Sequence, residues 1–138
     1  MLEKCISMIK NEGFTVVLSD GTRMLTGTER GVKPLLTFLD EYGTLKGFFA
    51  ADRVVGKAAA FIYVKLGIRR VFAITISDGA CKVFDSYGVD YTYENRVPVI
   101  RNRSNTDSCP MEKATADAGS PEQAIALIRQ TLKALSEK

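Results

Sequence analysis

The sequence predicts an α/β protein built on a mixed sheet with a parallel portion and helices on both faces. Three observations carry this reading. An Asp-Gly turn joins two β-branched runs near the start, strand and helix signals alternate from Gly47 onward, and Arg70-Val71-Phe72-Ala73-Ile74-Thr75-Ile76 is a continuous apolar run of the kind buried on both faces of a sheet.

Leu2, Cys5, Ile6 and Ile9 recur at helical spacing, and Gly13 stops the helix. Phe14 to Leu18 is a strand, Ser19-Asp20-Gly21 a turn, and Thr22 to Thr26 the returning strand of a hairpin. Gly27 to Val32 is a loop, and Pro34 opens a helix that ends near Gly43. A strand lies between Gly47 and Val55. Gly56-Lys57 then leads into an apolar helix, Ala58 to Leu66, stopped by Gly67. The apolar run from Arg70 is followed by the turn Ser77-Asp78-Gly79, a helix from Ala80 to Tyr87, and a strand from Val89 to Glu94. Val97 to Asp107 is the least regular stretch and is expected to be flexible. Cys109-Pro110-Met111-Glu112-Lys113-Ala114 begins a short helix. Ser120-Pro121-Glu122-Gln123 starts the last one, with Ser as cap, Pro in the first turn and Gln completing a capping box.

A chain of 138 residues, 46% apolar and 25% charged, fits one domain with a real core. A net charge of +3 with dispersed basic residues argues against a nucleic-acid footprint. No apolar run is long enough to span a bilayer, and Met1 to Cys5 does not read as a signal peptide. The three cysteines, Cys5, Cys81 and Cys109, are odd in number and widely spaced, which predicts reduced thiols in the cytoplasm. The chain has no histidine, so it has no Ser-His or Cys-His dyad and no imidazole-ligated metal.

Three places invite chemistry. The first is Asp52-Arg53-Val54-Val55-Gly56-Lys57, a strand end leading into a helix whose free N–H groups attract anions, with Lys57 adding a full charge. A small-residue face packed on the sheet, Ala58 to Ala60, is the structural alternative. The second is Cys109, at the N-cap of the Pro110 helix, where a thiol sees the positive end of the helix. Glu112 stands in the capping-box position, and a buried structural cysteine is the alternative. The third is Ser77-Asp78-Gly79-Ala80-Cys81, where Asp78 is a candidate ligand contact and otherwise a cap. Tyr91 and Tyr93 alternate on a strand and fit packing against a helix. Arg101-Asn102-Arg103 could meet phosphate but reads more simply as a solvated loop.

The run Asp52 to Ala60, followed by Cys109 to Ala114, resembles a prokaryotic family known as domain of unknown function 1893, over roughly Phe14 to Ala116. The resemblance implies a cytidine deaminase-like fold, a three-layer α/β/α sandwich, and implies no activity. Zinc deaminases carry His-x-Glu at one helix start and Pro-Cys-x-x-Cys at the next. Here those starts read Gly56-Lys57-Ala58-Ala59 and Ser77-Asp78-Gly79-Ala80-Cys81, so the metal and its hydrolytic chemistry are expected to be absent, and no cofactor is expected.

The leading expectation is a cytoplasmic protein that binds a small anionic or nucleotide-like ligand where the Lys57 and Asp78 helix starts converge, with Asp52, Gly56 and Glu112 beside it. Lys57→Ala is expected to abolish that affinity. Two alternatives stand: an enzyme using Cys109 for acyl transfer or redox work, and a structural or interaction protein acting as a homo-oligomer.

Overall fold

Short runs rich in β-branched residues, buried continuously on both faces, give this chain the middle of its sheet. The computed structural model describes residues 2–101 and 109–136. Its strands are β1 (Val16–Ser19), β2 (Met24–Gly27), β3 (Phe49–Val55), β4 (Arg70–Ser77) and β5 (Asp90–Val97), in the order β2-β1-β3-β4-β5. β1 is antiparallel to both neighbours, while β3, β4 and β5 are parallel. This is the mixed sheet the sequence predicts. The hairpin turn spans Asp20 to Arg23, and the Asp20 carboxylate accepts the N–H groups of Thr22 (2.8 Å) and Arg23 (2.7 Å).

Helix α1 (Leu2–Asn11) covers one face, laying Cys5, Met8 and Ile9 on Val17, Ala51 and Phe72. Along β1 the neighbours of Val17 point the other way, as a period of two requires. Val16 and Leu18 join Ala50, Val71 and Ala73 in the larger core beneath α2 (Lys33–Tyr42), α3 (Lys57–Leu66), α4 (Asp78–Tyr87) and α6 (Pro121–Ser136). A short helix α5 (Pro110–Ala114) precedes α6. Helices therefore flank both faces of the sheet. None among the described residues is long and apolar enough to cross a membrane.

The termini follow local chemistry. Gly67 and Gly88 end α3 and α4 in the left-handed conformation, at φ 83° and 71°. The Ser120 hydroxyl accepts the Gln123 N–H at 3.1 Å, and the Gln123 amide oxygen accepts the N–H of Gly119 at 2.7 Å, one residue earlier than a reciprocal box would have it. Helix α4 begins at Asp78 rather than Ala80, because Ser77 is its cap and accepts the Ala80 N–H at 3.1 Å. β5 runs to Val97, three residues past the predicted end, because its parallel pairing with β4 continues to Ser77↔Val97. Tyr91 packs on Phe84 of α4 with ring centroids 5.5 Å apart, and Tyr93 stacks on Tyr91. Of the irregular stretch at Val97 to Asp107, residues 102–107 lie outside the described residues, and Arg103 with them.

Gly27 ends β2 and lies against Pro34 in the first turn of α2. A Cβ there would lie 2.7 Å from the Pro34 Cβ and 3.0 Å from Val16 Cγ1. Neither neighbour is a flexible side-chain end, so Gly27→Ala forces backbone to move. It is expected to cost about 2 kcal/mol, as overpacking in a filled core does. A urea titration with an unshifted midpoint would refute this.

Candidate functional site

The ends of parallel strands are where α/β proteins leave room for ligands, because each chain leaves the sheet there to start a helix. Here that room is a cavity of about 890 Å³ at the C-terminal end of β3. β1 and β3 contribute Val16, Asp52 and Val54 to its wall, and the start of α3 contributes Gly56, Ala58 and Ala59. The loop after β2 supplies Arg30, Gly31 and Val32. The far side is Ile100, Arg101 and the Cys109 to Glu112 segment.

Asp52 is the unusual member. It is 8% exposed, next to the buried Ala50 and Ala51 of β3, yet it lines the cavity. The Tyr63 hydroxyl, from inside α3, donates to its Oδ2 at 2.6 Å, and the Val54 N–H donates to its Oδ1 at 3.3 Å. Burial pushes the carboxyl up to about 7, against the opposing pull of the Tyr63 hydrogen bond. Tyr63 is fully buried, and burial together with the neighbouring carboxylate holds its phenol well above the ordinary range.

Glu112 is differently engaged. In a capping box its carboxylate would turn back to Cys109, but the Cys109 N–H donates instead to the Ile100 carbonyl at 2.7 Å. The carboxylate crosses to α3: Oε1 accepts the Lys57 N–H at 2.6 Å and lies 3.5 Å from the Ser77 hydroxyl, and Oε2 accepts the Ile100 N–H at 3.4 Å. Gly56 has no side chain to cap α3, so a carboxylate from α5 does the work. The approach needs a glycine, since a Cβ at position 56 would stand 2.5 Å from Glu112 Oε1.

The structure thus brings four of the six predicted residues, Asp52, Gly56, Cys109 and Glu112, round one cavity. Lys57 and Asp78 are not among its lining residues. The Lys57 ammonium donates to the Ala116 carbonyl at 2.7 Å, and its backbone N–H serves Glu112. Asp78 accepts from Arg96 Nε of β5 at 2.6 Å. The two helix starts are adjacent, with position 79 in van der Waals reach of the Lys57 side chain, but the anion place between them is taken by the protein's own carboxylate. Sequence reading passed over Tyr63 and Arg30. A tyrosine amid the apolar residues of α3 and an aspartate in an apolar strand are each a buried polar group needing a partner, which is the signal that pairs them. Arg30 carries no local signal.

Cys109 is half-buried on the cavity wall, whereas Cys5 and Cys81 are buried in the core and burial pushes both thiols up. Helix α5 is only 5 residues long, so little dipole stands behind Cys109. Iodoacetamide on the native protein is expected to give a single adduct at Cys109, read by peptide mass spectrometry. Equal labelling of Cys81 would refute this order.

A mixed α/β scaffold with a walled pocket at the ends of its parallel strands is the class that fold and site define. The chain belongs to the family described as domain of unknown function DUF1893 (TM1506), whose model matches residues 4–132. A crystal structure of a DUF1893 family protein, TM1506 from Thermotoga maritima, is similar in fold, with a TM-score of 0.88 and 24% sequence identity over 94% of this chain and 88% of that one. The comparison with curated proteins gave no match.

Proposed function

We propose that this chain binds a small nucleotide-like ligand in the cavity beside Asp52. The observation that carries the reading is a carboxyl 8% exposed that nonetheless faces an opening of about 890 Å³. Folding a carboxyl into such a place costs stability, and costs of this kind concentrate at functional sites. The volume suits a molecule of nucleotide size, and mostly apolar walls with a few polar groups are the usual make-up of such pockets. Gly56 and Glu112 shape the wall. Lys57 and Asp78 enter as its supports, so Lys57→Ala is now expected to loosen α5 rather than to remove a direct contact.

The strand order and the adjacent starts of α3 and α4 support a cytidine deaminase-like arrangement. Those starts offer a thiol at Cys81 and a carboxylate at Asp78 already paired with Arg96, short of the three ligands a hydrolytic zinc requires. The proposal therefore runs no step through a metal. The free thiols support a cytoplasmic setting. A second reading, Cys109 as a nucleophile, is favoured by its place on the same wall.

Isothermal titration with a panel of nucleoside monophosphates tests the proposal. Val54 is 47% exposed on the cavity wall, so Val54→Trp fills the space without disturbing the core. Binding by the parent and its loss in Val54→Trp are the expected results. Heats of dilution alone across the panel would reject the reading.

A further inference from the structure

A second hollow lies at the other end of the parallel strands, and we infer that it binds a small ring-bearing anion independently of the Asp52 cavity. It measures about 440 Å³ and opens where the chain enters β3, β4 and β5. Its floor is apolar. Ile68 is fully buried, Val89 nearly so, and Val64 of α3 is half-buried beside them. Tyr87, the last residue of α4, is 41% exposed and completes the wall.

The polar side chains of this lining are Lys46, Arg69 and Tyr87. All three can donate, and no carboxylate stands among them. None of the three makes a side-chain hydrogen bond or ion pair among the described residues. Other cations of the chain are engaged: Lys10 pairs with Glu94, Lys65 with Glu122, Arg96 with Asp78 and Arg129 with Asp40. Nor do the nearby helix ends need these donors. The Tyr63, Val64 and Leu66 carbonyls of α3 accept the N–H groups of Ile68, Gly67 and Leu45, and the Phe84 carbonyl of α4 accepts that of Val89. The Lys46 stem is already laid across the end of α3, its Cγ 3.0 Å from where a Cβ on Gly67 would stand. An anionic group suits the ammonium and the guanidinium fork. An apolar ring covers the floor and meets the Tyr87 ring. A bare anion would leave that floor wet, and a neutral ring would leave the charged donors unmatched.

A carboxylate and a phosphate ester share this chemistry, and the test separates them. The full chain, isotope-labelled for amide NMR, is titrated with benzoate and with phenyl phosphate. Benzyl alcohol serves as the ring without charge, and acetate and inorganic phosphate as the charge without a ring. At least one ring-bearing anion is expected to bind about tenfold more tightly than these controls and to shift the amide signals of Gly67, Ile68 and Val89. The tighter of the two names the head group. Lys46→Met keeps the stem and Arg69→Gln keeps a donor. Each should weaken binding about fivefold with the urea midpoint unchanged. Val54→Trp, which fills the Asp52 cavity, should leave this binding as it is, so the two sites fail separately. Benzyl alcohol binding as tightly as the anions overturns the inference, as does binding by neither anion or shifts confined to the Asp52 cavity. Lys46→Met and Arg69→Gln proteins that unfold at lower urea but bind the probes unchanged would make the two cations supports of the α3 end, and would overturn it too.

Discussion

Asp52→Asn is expected to stabilise the protein by about 4 kcal/mol at pH 8 and hardly at all at pH 4. The figure is the free energy separating an aspartate that titrates at its ordinary 3.8 from one that titrates at about 7, at about 1.4 kcal/mol for each tenfold change in proton affinity. Well below pH 3.8 the carboxyl is protonated in the folded and unfolded chains alike and has no effect. As pH rises from 4 to 7 the unfolded chain gives up this proton while the folded chain keeps it. The folded state then holds the extra proton, and stability falls with pH until both forms are ionised. Asparagine has no proton to lose, and its carbonyl still accepts from the Tyr63 hydroxyl. Urea midpoints of parent and variant at pH 4, 5.5 and 8 measure the effect. A gap between them that stays constant across that range would show that Asp52 titrates as an ordinary carboxylate.

Glu112→Ala is expected to cost about 3 kcal/mol, since it strips two backbone donors, on Lys57 and Ile100, of a charged acceptor and leaves the first turn of α3 uncapped. Glu112→Gln keeps one oxygen for Lys57 and should lose about half as much. Thermal unfolding of the three proteins reads the series. A Gln variant as unstable as the Ala variant would mean that packing of the side chain, and not its acceptor atoms, holds α5 in place.

The elements were legible because each is encoded within a few residues. The Asp20-Gly21 turn, the apolar run of β4, the Pro34 and Gly43 ends of α2 and the Ser120 cap of α6 all depend on neighbours in sequence. Asp52, Gly56, Cys109 and Glu112 could be picked out for the same reason, as unusual residues at element ends. What each of them touches was not legible. Glu112 and Lys57 are 55 positions apart, and nothing local says that a residue in the capping-box place will reach across to another helix. That one contact also redirects the Lys57 reading, because a helix start looks available to an anion only while its own protein's carboxylate is out of view.

The cap that α5 lends to α3 has a consequence for synthesis. A chain leaving the ribosome exposes α3 and its strands well before residue 112 emerges, so the first turn of that helix has to fray, or borrow water, until the later segment arrives. The nascent pocket is therefore open on one side during translation, and a stall before Glu112 would leave a nearly complete sheet whose most apolar helix has no lock at its head.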